Sequence, residues 1–228
     1  MKRVMIFMTA TAVMLMIAAC DNGNLPLPPK KSAQVMLIHA SPDAPGVDAF
    51  LDDVPVAENL EYPNSTRYTS LKEGEHNVKL NVTGTDVTVI DADLDFVAEQ
   101  HYSIFACDAV ANLAALMLED NFISPPIGSG QVRFVHLSPD APAVDVTLTD
   151  GTVLFGNVAF KGSTPFEPVA AAKLDLQVRL AGTETVVLEV KDVVIAPGVA
   201  YTIWAKGFVN GEGAQALGAE IIINKLKF

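Results

Sequence analysis

The chain has 228 residues, of which 50% are hydrophobic, and its 27 acidic against 15 basic side chains give a formal charge of −12. An acidic chain with no basic tract is excluded from holding nucleic acid, because that binding depends on neutralising phosphates. So large a hydrophobic share also excludes an acidic disordered segment and is ample for a folded core.

The first residues have the layout of a secretory signal. Lys2 and Arg3 form a charged start, Val4 to Ile17 an apolar stretch, and Ala18-Ala19 precede Cys20. The apolar run from Val4 to Ala19 is short of the ~20 residues that a spanning helix needs. Residues 1–19 are therefore expected to be a cleaved signal peptide. Ile17-Ala18-Ala19-Cys20 resembles the lipobox of bacterial lipoproteins, with Ile17 in place of the more usual leucine. That resemblance implies cleavage before Cys20, a diacylglycerol on its sulfur, a palmitate-type acyl group on the new amino terminus, and a lipid membrane as partner through Cys20. A plain secretory signal with an incidental cysteine is the alternative. Several acyl chains hold a protein firmly on a bilayer, so the mature chain is expected to be anchored and not spanning. The implied place is the cell envelope, with the folded part in the periplasm. Asp21 resembles an inner-membrane retention signal, which favours the inner over the outer membrane. Residues 20–33, rich in proline and turn formers around Pro26, Pro28 and Pro29, form a tether.

From Gln34 the chain begins a stretch that it repeats from Gln131. His39, Ser41, Pro42, Asp43, Pro45 and Asp48 of the first copy correspond to His136, Ser138, Pro139, Asp140, Pro142 and Asp145 of the second. A run that recurs with its flanks is an internal duplication. Apolar residues dominate Val35 to Ala40 and Val132 to Leu137, which read as strands ending at a proline corner that cannot continue a ladder. Pro42 and Pro45 fix their own φ and push Ser41 and Ala44 toward extended geometry, so the corner is largely set before folding.

Later parts align as well. Asn59-Leu60-Glu61-Tyr62 corresponds to Asn157-Val158-Ala159-Phe160, and Gly84-Thr85 and Gly182-Thr183 sit between β-branched runs as hairpin turns. Strands follow at Val87–Phe96 and Thr185–Ile195, at Tyr102–Phe105 and Tyr201–Trp204, and at Leu113–Leu118 and Leu217–Ile223. Short strand signals at even spacing, with no long helix period, predict an all-β chain of two tandem immunoglobulin-like antiparallel β-sandwich domains, roughly seven strands each. Residues 34–123 form the first, 131–228 the second, and the proline and glycine stretch 124–130 links them.

His-Leu-Ser-Pro-Asp-Ala-Pro-Ala-Val-Asp at residues 136–145, after Val-Arg-Phe-Val and before a downstream Tyr-Thr-Ile-Trp strand, resembles the bacterial domain of unknown function 4397 family. The resemblance extends over nearly all of residues 34–228, in two copies. It implies a secreted or surface-attached protein with sandwich domains in tandem, and implies no activity. The first copy departs from the second at Gly46 for Ala143 and at Ser103-Ile104-Phe105 for Thr202-Ile203-Trp204.

The repeated polar set admits two readings. Histidine and carboxylates can share a cation or tune each other's proton affinity, which would make a metal-dependent or hydrolytic enzyme of the His-x-Ser-Pro-Asp turns. Alternatively each histidine ends its strand and bonds the corner while the aspartates hold backbone donors. The second is preferred, because serine beside proline with no oxyanion loop is a poor nucleophile. Asp91, Asp93 and Asp95 alternate with apolar residues as a half-buried strand does, and Phe96 and Tyr102 stand where a calcium loop needs glycine and glutamate. Cys107 ends an apolar run and reads as a buried thiol. No cofactor is expected. The function expected is non-enzymatic, a binding or structural module with an envelope protein or a glycan as partner.

Overall fold

The computed structural model describes residues 31–226; the expected signal peptide, Cys20 and the expected tether up to Lys30 lie outside them. The first copy of the duplication forms β1 (Ser32–His39), β2 (Val47–Leu51), β3 (Val54–Leu60), β4 (Thr69–Lys72), β5 (Gly74–Val82), β6 (Thr88–Phe96), β7 (His101–Cys107) and β8 (Ala114–Glu119). The second forms β9 (Ser129–His136), β10 (Val144–Leu148), β11 (Val153–Val158), β12 (Glu167–Ala170), β13 (Ala172–Leu180), β14 (Val186–Ile195), β15 (Ala200–Lys206) and β16 (Gly218–Lys225). Ser32 and Ala33, expected in the tether, belong to β1, and Ser129 and Gly130, expected in the linker, belong to β9.

The all-β expectation holds. Each set makes a two-sheet sandwich, with orders β4-β1-β7-β8 and β3-β2-β5-β6 in the first and β12-β9-β15-β16 and β11-β10-β13-β14 in the second. Each unit thus has eight strands, four to a sheet, and not seven. Nor are the sheets purely antiparallel, since β1 runs parallel to β7 and β9 parallel to β15. The tight turns at Gly84 and Gly182, both at φ 71°, lie where they were expected, in the left-handed region that glycine enters without a Cβ penalty.

Each sandwich fills the space between its two sheets with its own apolar cluster. Val35, Leu37, Val47, Val78, Ile90, Phe96 and Ile104 belong to the first, and Val132, Phe134, Val146, Phe155, Val178 and Ile203 to the second. A third cluster joins the units: Met36, Ile38, Ala40, Phe105 and Cys107 pack against Val135, Leu137 and Trp204. The sheets therefore stack four deep, with β4-β1-β7-β8 and β12-β9-β15-β16 inside and covered on both faces. This is why β1, β7, β9 and β15 are mostly apolar and buried almost without a break, the pattern that double coverage demands. On the outer sheets the alternation returns. In β6, Ile90 and Phe96 face in, and Asp91, Asp93 and Asp95 face out, where Asn77 Nδ2 donates to Asp91 Oδ1 at 2.7 Å and to Asp93 Oδ1 at 3.0 Å.

Candidate functional site: the repeated corner and the seam

The proline corner forms twice, and most of its bonds recur. His39 and His136 have no exposed surface, and each ring sets Nε2 against a corner carbonyl, Pro45 O at 2.9 Å and Pro142 O at 3.0 Å. A carbonyl can only accept, so Nε2–H donates in both rings. In the second copy the Ser138 N–H donates to the other ring nitrogen, Nδ1, at 3.3 Å.

The aspartates hold the surrounding loops. Asp43 Oδ1 accepts the N–H of Val110 at 2.8 Å and Asp140 Oδ1 that of Val209 at 2.9 Å, each tying the corner to the loop after β7 or β15. Asp48 accepts from Asn59 N–H at 2.8 Å and Gly84 N–H at 3.0 Å; Asp145 accepts from Asn157 N–H at 2.6 Å and Gly182 N–H at 2.8 Å. Each of these carboxylates thus joins a hairpin turn to an asparagine in the left-handed region, at φ 47° for Asn59 and 54° for Asn157. These donors, Asn59 N–H first and Gly84 N–H next, hold the Asp48 carboxyl below its ordinary value. Ser41 Oγ lies 3.4 Å from Asp43 Oδ1, whereas Ser138 Oγ donates to Gly207 O at 2.6 Å. The duplicated residues that align in the sequence are thus joined in space. Pro42, Pro45, Pro139 and Pro142 shape the corner, and its polar groups bond to the backbone around it. Among the described residues no group of three metal-ligating side chains comes together.

Both corner histidines are held below the ordinary 6.5 chiefly by burial, against a smaller raising effect of the carbonyl bond. The unfolded chain therefore takes up protons first, and stability that is full above pH 6.5 is lost as the pH falls below it toward the lower folded value. The melting temperature is expected to be flat above pH 7 and to fall between pH 6.5 and 5, above the range in which carboxylates titrate. In H39Q/H136Q, where the amide N–H replaces Nε2–H, the fall should be shallower, with the residue due to His101, which burial shifts the same way. An unchanged slope would contradict the assignment.

Between the two units lies a second polar cluster that sequence reasoning missed. Arg133, on β9, is buried and pairs with buried Asp120 at 2.6 Å. Its Nε donates to Thr202 Oγ1 at 2.8 Å and its Nη2 to Ser103 Oγ at 3.0 Å. Ser103 Oγ donates to Asp120 Oδ2 at 2.8 Å, and the Tyr68 hydroxyl bonds the same oxygen. Thr202 Oγ1 donates to Asn224 Oδ1 at 2.6 Å, and Asn224 Nδ2 to the Tyr68 hydroxyl at 3.1 Å. The guanidinium also lies 4.7 Å over the Phe166 ring. Lys161 adds a bridge to Asp108 at 2.7 Å from the opposite unit. The one available signal was Arg133 itself, a charge inside an apolar run where the first copy has Met36. Cys107 is buried in this seam, and burial pushes its thiol up to about 11, so it is protonated at neutral pH.

A family model described as Domain of unknown function (DUF4397) matches residues 33–147, half of the chain. The match covers the first unit and ends within β10. No curated protein matches. Among solved structures, CBMbc (family CBM26) from Eubacterium rectale Amy13K, in complex with maltoheptaose, aligns over 85% of this chain and 97% of its own at 13% identity, with a TM-score of 0.24. A candidate adhesin from Bacteroides ovatus aligns over 86% of this chain and 94% of its own at 8% identity, with a TM-score of 0.18. Likeness this weak carries no argument about ligand or partner.

Proposed function

We propose, for a chain that belongs to the family described as Domain of unknown function (DUF4397), that both eight-strand units are copies of this domain, each immunoglobulin-like. Together they act as a non-enzymatic binding or structural module of the cell envelope. In this reading acylated Cys20 holds the chain on the inner membrane, residues 20–31 are the spacer, and the two units stand in the periplasm with an envelope protein or a glycan as partner. The observation that carries the non-enzymatic reading is the state of the repeated His/Ser/Asp sets. Both histidines are fully buried and bonded to corner carbonyls, and both Asp48 and Asp145 are taken up by backbone N–H groups. A general base must reach its substrate's proton, and these rings face the corner instead. The anchoring rests on the residues around Cys20 and on the affinity that multiple acyl chains supply.

The test of anchoring is metabolic labelling of the full chain with an alkyne palmitate in a Gram-negative host. Label and membrane fractionation are expected for the wild type and lost in C20S. Label that persists in C20S, or a wild-type chain recovered unlabelled and soluble, would overturn the anchor. The partner is sought by capture with the acylated chain from its envelope.

A further inference from the structure

We propose that the outer edge of β16 is a docking site for an extended acidic peptide segment of a partner protein, which adds to the inner sheet of the second unit as a fifth strand. This rests on the reading of the chain as a binding module and names the partner's chemistry.

Among the described residues β16 is the terminal strand of its sheet, and one row of its backbone N–H and C=O groups has no ladder partner there. Native edges of this kind are usually blunted by charge, proline, a bulge or shortness. β16 runs for eight residues with Ile221-Ile222-Ile223 at its centre and no proline. Ile221 and Ile223 are 39% and 51% exposed. Beside this edge a cleft of about 930 Å³ opens toward residues 65–68 of the first unit, walled by Met36, Arg67, Tyr68, Ile221, Ile223 and Lys225.

The duplication supplies an internal comparison. β8 holds the equivalent edge of the first unit, and there every residue from Ala114 to Leu118 is half-buried. The chain after β8 closes that side, with Phe122 against Phe166 at 5.2 Å between centroids and the Ile123 N–H donating to Gln131 Oε1 at 3.3 Å. The cleft left on that side is about 410 Å³. Of two edges made by one duplicated plan, among the described residues one is covered and one stands open with room for a strand.

Charge selects the occupant. In a chain of formal charge −12, the open cleft carries the exposed Arg67 on its wall. A strand paired to β16 would turn alternate side chains toward residues 65–68 and the others along Ile221 and Ile223. An acidic residue on the first face meets Arg67, and an apolar one on the second covers the isoleucines. Main-chain bonds then supply affinity and the alternating side chains specificity, as in other strand additions.

The test titrates the full chain in detergent micelles with fluorescent octapeptides of alternating valine and glutamate, or valine and lysine. The glutamate peptide is expected to bind about tenfold or more tighter than the lysine one, a difference that a single well-placed ion pair at a cleft can supply. R67E, at an exposed position, should reverse this preference without moving the melting temperature. N-methylation of the valines, which removes ladder donors and keeps the charge, should abolish binding. Equal binding of both peptides, no binding of the glutamate peptide, or retention of the N-methylated one overturns the proposal. So does a wild-type dimer that I223K makes monomeric, since a second copy would then hold the edge. An envelope partner captured equally by wild type and R67E would leave the wider reading standing while this one falls.

Discussion

R133M is expected to cost about 3–5 kcal/mol of folding stability, because it leaves a buried carboxylate without its cation. Asp120 has no exposed side-chain surface, and Arg133 retains only 3%. Removing the guanidinium also takes a donor from Ser103 and one from Thr202. The duplication prescribes the rescue. Met36 stands at the first-copy position of Arg133, and Asn224, which follows Ile223 opposite Tyr201, matches Asp120, which follows Glu119 opposite Tyr102. R133M/D120N therefore converts the pair into neutral residues that the fold already carries elsewhere in the seam, and most of the loss should return. Chemical unfolding of the single and double variants at pH 7 gives the coupling. A single variant as stable as wild type, or a double variant worse than either single one, would sink the account.

W204A is expected to be of similar size, about 3–5 kcal/mol, through the cavity it leaves between the units. Trp204 is fully buried, with its ring 6.3 Å from Phe105 and 6.4 Å from Tyr62, both edge-on. Among the described residues its indole N–H has no acceptor, so the residue contributes through volume and contact and not through a bond. W204F, which installs the residue that the first copy has at Phe105, should accordingly cost clearly less than W204A, because the phenyl ring refills most of the space and leaves the smaller cavity. The two variants separate packing from hydrogen bonding. Equal losses in both would show that the indole itself, and not the filled space, matters.

Both experiments probe the seam, where sequence reasoning was weakest. Val132-Arg133-Phe134-Val135 shows by its composition that a strand is covered on both faces, and β1, β7 and β15 show the same. Nothing local says what covers them, because the partner of Arg133 is Asp120, the residue that follows β8 in the other copy. The corner was easier to read. His39, Asp43 and Asp48 recur with their spacing intact, and their bonds run to the carbonyl of Pro45 and to backbone N–H groups at other positions that also recur, such as Asn59 and Gly84. A duplicated constellation whose contacts are duplicated with it can be traced by alignment of the chain on itself.

By itself, then, the sequence determined the strands, the hairpins at Gly84 and Gly182, and the stiff corners, since side-chain alternation, glycine at positive φ and proline's fixed φ act within a few residues. Only the tertiary structure decided that two inner sheets face each other, that Arg133 meets Asp120, that Trp204 fills the seam, and that β8 is covered while β16 is open among the described residues. Those outcomes depend on which apolar faces find each other across the whole chain, and a face carries the demand for burial without carrying the address of the surface that meets it.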